Sequence, residues 1–301
     1  MSQGGPTNRE RRNSGYHSAV TTGSERPESA SELPEDLGGD LKGLDLRGRN
    51  LSGLSFQGRD LSGVILEGAS LVGTDFRDAG LSSANLSGAD LTGARLDGAD
   101  LSGADLTRTN LSTANLSGAV LERALLHETV LRDAQVQNSS WNDADARVGD
   151  WTGVDLRGAG LYRTHLVDLD LRKAQLEGAH IDDSDLIRVK LEGAQIPKLK
   201  LTDSTLKDVD FREVIAEAAE FRFANFDSVD FRGADFRAVQ FESVAFKSCE
   251  FSDFHARGAS FVRCAGLRSA VLDQLGDAGA EVALPLVLRL WRMLSERRGG
   301  R

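Results

Sequence analysis

Residues 81–105 read LSSANLSGADLTGARLDGADLSGAD, and one five-residue unit repeats through the whole stretch. A large apolar residue marks each unit. Leu, Phe, Ile, Val or Trp holds this position in all but three of the 45 steps of five between Leu41 and Phe261. A period of five fits neither the two-residue alternation of a strand nor the 3.6-residue turn of a helix. Short, fixed self-similarity is typical of a solenoid, in which each unit buries its apolar side only against its neighbours.

A second regularity lies two residues before each large residue, where the side chain is small. Ala89 and Ala99 illustrate it, and farther along the chain the position also holds Val, Ser, Thr or Cys, as at Val229 and Cys249. Asp or Asn commonly precedes the large residue, Ser, Thr or Arg follows it, and Gly often comes next. This unit resembles that of the pentapeptide repeat family, written A(D/N)LXX, and the resemblance covers most of the chain.

The resemblance implies an all-β solenoid, a right-handed quadrilateral β-helix with one pentapeptide on each side and 20 residues in each coil. The repeats then form about eleven coils, and an inter-strand spacing of about 4.8 Å gives a rod of roughly 53 Å. We therefore expect a disordered N-terminal tail at 1–38, a β-helix at 39–266, and a helical cap or possible dimerisation segment at 267–301. The tail is rich in Ser, Gly, Glu, Pro and Arg and nearly free of large apolar residues.

The three positions without a large residue are Ala146, Ala216 and Ala256, and each lies between bulky neighbours, as Ala146 does between Trp141 and Trp151. Protein interiors are packed close to crystal density, so an oversized residue needs an undersized neighbour. Seven successive units from 221 to 251 carry Phe. We interpret all these residues as packing and expect a wide aromatic core in the C-terminal coils.

Beyond the repeat, the pattern predicts two helices. The first covers Ser269 to Leu275 and is stopped by Gly276. The second begins at Pro285 and continues to about Arg298. Its apolar face is Leu286, Val287, Leu290, Trp291 and Leu294. Since the end of a solenoid exposes an open core and unpaired strand edges, this helix is expected to cap the last coil or to form a homodimer. A membrane-surface role fits less well, because its basic face is thin.

The compartment is expected to be the cytoplasm. No apolar signal segment follows Met1, and no apolar run has transmembrane length. Cys249 and Cys264 both fall at the small inward position but on different sides of the coil. They are therefore expected to be core thiols of a protein in a reducing compartment, and a disulfide between them is not suggested.

Catalytic chemistry is not indicated by the residue pattern. The five His residues are scattered, and neither His165 nor His180 has a Cys or a second His at ligand spacing. The many glycines punctuate the repeat and do not form a phosphate loop between a strand and a helix. Paired carboxylates would lie on an open convex rod where nothing excludes water. We expect no enzyme, no catalytic residues, no cofactor and no metal.

The solenoid is acidic. The whole chain has a net charge of −10, and 26 basic and 35 acidic residues fall between 41 and 266. Such a rod disfavours nucleic acid as a direct partner and favours a basic protein surface. Folding the sequence onto 20-residue coils gathers acids at two neighbouring corners, which form the candidate partner surface. These are Asp143, Asp145, Asp183, Asp185 and Asp203 at one corner, and Asp168, Asp170, Asp208 and Asp210 at the next.

An Asp before the large residue also has a structural interpretation, because its carboxylate accepts hydrogen bonds from nearby backbone amides. Two functions remain open. One is a non-enzymatic protein-interaction scaffold with an unknown protein partner. The other follows from the resemblance to Qnr-type and MfpA-type family members: an acidic DNA mimic that binds DNA gyrase or topoisomerase, and inhibits it or protects it from quinolone-like poisons, conferring antibiotic resistance. B-DNA carries one negative charge per about 1.7 Å, so a duplex as long as this rod would carry roughly 31 negative charges. The solenoid has only nine more acidic than basic residues, which counts against the DNA mimic.

Overall fold

The computed structural model of the chain describes residues 37–283. Within this range the backbone winds in coils of 20 residues, and each coil pairs with the next through parallel bridges, from Asp45↔Ile65 to Ala245↔Ala265. Four five-residue sides make up each coil, so the predicted solenoid of pentapeptide units is confirmed. The bridges at the regular 20-residue spacing end at Ala265, where the five-residue pattern of the sequence also ends.

Each side of a coil turns into the next through the residues that follow the large one. In a representative unit, the Ala89 amide donates to the Leu86 carbonyl oxygen at 3.0 Å. Gly88, between them, has a φ of 67°. A positive φ at the third position of such a turn favours Gly, although side chains occupy it in many coils. The Leu86 amide also donates to the Asp105 carbonyl oxygen of the next coil at 2.8 Å, so the coils are joined along the rod.

Two sides of the rod carry regular parallel strands in its second half. The six-stranded face comprises β1 (Asp145–Asp150), β3 (His165–Asp170), β5 (Asp185–Ile187), β7 (Thr205–Lys207), β9 (Asn225–Asp227) and β11 (Ala245–Lys247). The seven-stranded face comprises β2 (Gly160–Tyr162), β4 (His180–Asp182), β6 (Lys200–Thr202), β8 (Glu220–Arg222), β10 (Gln240–Glu242), β12 (Ser260–Val262) and β13 (Glu281–Ala283). Partners lie 20 residues apart, as in Leu166↔Leu186, except for β12 and β13.

The core is a continuous column of the large and small inward residues. Trp141 and Trp151 are fully buried with ring centroids 5.4 Å apart, and Ala146 beside them is 1% exposed. Toward the C-terminal end, phenyl rings of successive coils stack, with centroids 5.0 Å apart for Phe221 and Phe241 and 4.6 Å apart for Phe241 and Phe261. The predicted aromatic core is confirmed, and so is the pairing of large with small residues.

The C-terminal end of the described chain leaves the coil and returns to it. Helix α1 spans Ser269–Asp277, which confirms the first predicted helix, although it continues past Gly276. The side chain of Leu275 is fully buried. The chain then returns as β13, which pairs in parallel with β12 and brings Val282 opposite Phe261. This last strand was not predicted.

Two predicted segments lie outside the described residues. These are the tail, apart from Leu37 and Gly38, and the second helix from Pro285 with its apolar face. Leu37 itself is fully buried and belongs to the core. Between residues 37 and 283, no helix is long and apolar enough to cross a membrane. Both cysteines are free thiols, and burial raises the pKa of the Cys264 thiol to about 11.

Candidate protein-interaction surface

The two predicted acidic clusters border the same side of the rod, the six-stranded face. The first corner is the turn that leads into this face and comprises residues 142–144, 162–164, 182–184, 202–204, 222–224 and 242–244. The second corner is the turn that leads out of it and comprises residues 147–149, 167–169, 187–189, 207–209 and 227–229. Asp145 and Asp185 lie on the face beside the first corner, and Asp170 and Asp210 lie just past the second. Coil geometry therefore brings all nine predicted acids to one surface.

Basic side chains separate the acids along the first edge. Arg163 lies in the coil between Asp143 and Asp183, and its Nε and Nη2 each donate to an Asp143 carboxylate oxygen at 2.7 Å. This contact lowers the pKa of the Asp143 carboxyl. His165 lies between Asp145 and Asp185 in the same way, and its Nδ1 is 3.2 Å from Asp185 Oδ2. The predicted acidic corner is therefore an alternating row of acids and bases.

Asp145 also has a basic partner within its own pentapeptide. Arg147 Nε donates to Asp145 Oδ1 at 2.7 Å. Partial burial of this carboxyl favours its neutral form, but the hydrogen bonds from Arg147 and His127 outweigh that effect, and the pKa of Asp145 is lowered. The carboxylate is thus held ionised and is compensated locally.

The second edge has the same alternation. Arg188 lies between Asp168 and Asp208 and donates from Nε to Asp168 Oδ1 at 2.6 Å, which lowers the pKa of Asp168. Asp170 is bound by Arg172 with an Nη2–Oδ2 distance of 2.7 Å, and Asp210 is bound by Arg212 with the same distance. Six of the nine predicted acids therefore contact a basic side chain.

Three of the nine predicted acids have no basic group within ion-pair distance among residues 37–283. They are Asp183 and Asp203 at the first corner and Asp208 at the second. Asp182, next to Asp183, has no ion pair in that range either. At the first corner, the acids without an ion-pair partner are therefore Asp182 and Asp183 in one coil and Asp203 in the next coil.

The Asp that precedes a large residue serves the turn as well as the surface. Asp100 Oδ1 accepts a hydrogen bond from the Ser102 amide at 2.9 Å, and Asn115 Oδ1 accepts one from the Ser117 amide at 3.0 Å. In a further group the residue two positions later is Arg, which also forms an ion pair with the Asp. These pairs are Asp45–Arg47, Asp75–Arg77, Asp145–Arg147, Asp155–Arg157, Asp170–Arg172, Asp210–Arg212, Asp230–Arg232 and Asp235–Arg237. The structural interpretation of these acids is confirmed.

Exposed apolar side chains concentrate on the same surface. Six large apolar residues between 37 and 283 are strongly exposed. Val148, Tyr162 and Phe223 lie at the two corners of the six-stranded face, and Leu125 pairs with Asp145 one coil before its first strand. Half-buried Val167 and Ile187 are paired neighbours on the outer side of β3 and β5. Single exposed apolar residues are common on protein surfaces, so it is the presence of several around one face that favours an interaction surface here.

Sequence reasoning missed these apolar residues because it followed charge on the outer surface. Their signal was available in the repeat frame. Val148 and Phe223 occupy the turn position two residues after the inward one, which is most often Gly, Asp or Arg elsewhere in the rod. A large apolar residue at that position faces solvent.

The first corner rests on a column of buried hydroxyl groups. Thr164, Ser184 and Ser204 follow one another at the small inward position, and each is at most 3% exposed. The Thr164 amide donates to Ser184 Oγ at 2.9 Å, and the Ser184 amide donates to Ser204 Oγ at 3.1 Å. Because these bonds run along the rod, they tie successive turns of the corner together and hold its outer side chains in a fixed row.

Metal chemistry finds no support between residues 37 and 283. No group of three His, Cys, Asp or Glu side chains in that range is arranged to hold a metal ion.

The repeat unit matches the family model for pentapeptide repeats over more than half of the chain, in eight copies. The matched residues are 40–78, 74–112, 104–140, 170–208, 204–242 and 217–253. The chain belongs to the pentapeptide repeat family. A sequence search of curated proteins found no match.

Among solved structures, the fold is similar to that of HetL from the cyanobacterium Nostoc sp., a pentapeptide repeat protein involved in the regulation of heterocyst differentiation. The identity is 26%, the TM-score is 0.50, and the match covers 73% of this chain and 90% of HetL. QnrB1, a plasmid-mediated fluoroquinolone resistance protein, is 18% identical with a TM-score of 0.37, and the match covers 77% of this chain and 95% of QnrB1.

Proposed function

We propose that this pentapeptide repeat protein is a non-enzymatic protein-interaction scaffold whose partner binds the six-stranded face and its two corners. The observation that carries the proposal is that four of the six strongly exposed large apolar residues between 37 and 283, namely Leu125, Val148, Tyr162 and Phe223, lie around one face of the rod. Protein interfaces combine an apolar and aromatic centre with a polar rim, and ion-paired acid rows border this face on both edges.

The pairing of the acids favours a protein scaffold over a DNA mimic. Duplex DNA presents unbroken rows of phosphates, whereas Arg163 and Arg188 interrupt the acid rows of the first and second corners. A partner that recognises DNA would meet alternating charges here. Protein partners use such alternation, because complementary charges fix the register of an interface.

A cytoplasmic location forms part of the same proposal. Cys249 and Cys264 remain free thiols, and burial raises the pKa of both, which keeps them in the inert thiol form.

The proposal is tested by site-specific photo-crosslinking in the cells that produce the protein. A photoreactive amino acid replaces Val167 on the six-stranded face in one variant, and Ser117 on another side of the rod in a control. We expect one or a few discrete protein adducts from position 167 and none from position 117. Equal adducts from both positions, or adducts from 117 alone, would contradict this assignment of the partner surface.

A further inference from the structure

The first corner contains a residue that the fold itself does not require. Phe223 occupies the left-handed turn position with a φ of 52°, and 52% of its surface is exposed. In the neighbouring coils the same position holds Asp203 and Ser243, polar residues that suit an exposed turn. A bulky side chain with positive φ is unusual, and exposure brings it no core contacts. Phe223 is therefore unfavourable for the turn on two separate grounds.

A second exposed aromatic ring lies at the same corner, three coils away. Tyr162 is 40% exposed, and the guanidinium carbon of Arg163 is 4.7 Å from its ring centroid. Arg163 is in turn bound to Asp143, so the Tyr162 ring is held against a fixed neighbour. At about 4.8 Å per coil, the two aromatic residues are separated by about 14 Å along the rod.

The surface between the two rings is negatively charged. Asp182, Asp183 and Asp203 lie in the two intervening coils, and none of them forms an ion pair with another residue of the described range 37–283. The buried hydroxyls of Ser184 and Ser204 hold these turns together from inside. The corner thus presents aromatic, acidic and aromatic groups in that order along the axis.

We propose that this corner, from Tyr162 to Phe223, is the docking site for an extended partner segment with the pattern apolar–x–basic–x–apolar, where the basic residue is Lys or Arg. The inference rests on the proposed scaffold function and names the chemistry of the partner. An extended chain rises about 3.4 Å per residue, so four residues span about 14 Å, and residues i, i+2 and i+4 project from one side. The outer apolar residues contact the two rings, and the central cation meets Asp183 and Asp203.

The full-length protein is used as bait for a displayed library of random nine-residue peptides. We expect enriched peptides to share the apolar–x–basic–x–apolar pattern. Their Kd should rise at least about tenfold in Phe223→Ser and in the double variant Asp183→Asn/Asp203→Asn. Added salt should weaken peptide binding to the wild type and to Phe223→Ser, but should change binding to the Asp double variant little, because the Asp183 and Asp203 contribution is the electrostatic one. Ile215→Ser, which removes an exposed apolar residue from another side of the rod, should bind like the wild type.

Other outcomes separate the inference from the function on which it rests. Enriched peptides that bind Phe223→Ser and the double variant as tightly as the wild type would overturn the docking site and leave the scaffold function standing. Peptides that need Phe223 but carry no basic residue would overturn the proposed occupant. If no peptide is enriched, and crosslinking at position 167 yields no adduct, both proposals fail. Because Ser occupies the equivalent turn position at 243, Phe223→Ser is expected to fold normally, and its melting temperature verifies this.

Discussion

Trp141 is one of the two largest side chains that the core buries completely. It is fully buried against Trp151, and its indole Nε1 donates to Ser139 Oγ at 2.6 Å. We expect Trp141→Ala to lower the free energy of unfolding by about 3–5 kcal/mol, because the coil cannot close over the cavity left by the ring. Chemical denaturation measures the loss. Ile215→Ala, a truncation at an exposed site, serves as the control and should change stability by less than about 0.5 kcal/mol. Similar losses for both would contradict the assigned inward frame.

Gly149 lies against Trp151, the second of these Trp residues, where the core has no room for a larger side chain. A Cβ atom at this position would lie 2.7 Å from the Thr129 carbonyl oxygen and 2.8 Å from Trp151 Nε1. Its φ is not positive, so the constraint is steric. Gly149→Ala should destabilise the protein by about 1–3 kcal/mol, as overpacking does in other cores. In Gly160→Ala the new Cβ meets nothing within 4 Å, and an equal loss there would refute the steric explanation.

At the scale of the element, the pentapeptide turn with an Asp–x–Arg pair gives the solenoid an acid-sensitive component. Hydrogen bonds from the Arg47 side chain lower the pKa of Asp45 to about 2. A carboxyl whose pKa is lower in the folded chain stabilises the fold above its unfolded pKa of about 3.9, and this stabilisation disappears as the pH falls through the folded value. Carbon-detected NMR should show Asp45 titrating near pH 2, and Arg47→Gln should move its pKa upward. An unchanged pKa in that variant would exclude Arg47 as the cause.

The strand that ends the described chain follows α1, which packs against the core through Leu275 and, less deeply, Val271. Leu275 is the buried residue of α1, and the strand that follows covers the edge of β12. Leu275→Ala should weaken this closure by about 2–5 kcal/mol and should speed amide hydrogen exchange in β13 while the central coils stay protected. Gln274→Ala, at an exposed neighbouring position, is the control. Unchanged exchange at Glu281–Ala283 in Leu275→Ala would show that α1 does not hold the strand.

At the scale of the whole molecule, the arrangement of charge decides between the two functions considered for this rod. We expect the purified protein to leave DNA gyrase supercoiling unchanged, with or without a quinolone, because paired acids do not reproduce the phosphate rows of a duplex. Once crosslinking has identified the partner, duplex DNA should not compete with this protein for binding to it. Inhibition of supercoiling, or rescue from the drug, at micromolar protein would favour the DNA mimic and direct mutagenesis to Asp183 and Asp203.

The fold could be predicted from the sequence because every inward position repeats at a fixed interval, so the frame alone places Leu86 or Phe226 in the core. Strand β13 could not be, since α1 interrupts the interval and Val282 pairs with Phe261 at a spacing of 21 residues. The repeat frame placed the acid clusters around one face, but their compensation by Arg163 and Arg188 was overlooked. The prediction compared coils two apart, and Arg163 and Arg188 lie in the coils between. Phe223 was missed because a charge inventory does not examine apolar residues in turns.

The uninterrupted 20-residue coil also gives the rod a phase. An insertion of five residues at a turn such as Gly98 would rotate every later side by a quarter turn, so the surface around Phe223 would point in a new direction relative to the N-terminal coils. An insertion of 20 residues would add about 4.8 Å of length and leave every direction unchanged. Variants of the two kinds therefore alter angle and distance independently. A partner that contacts both halves of the rod and depends on their relative direction would bind the 20-residue insertion variant but not the five-residue one.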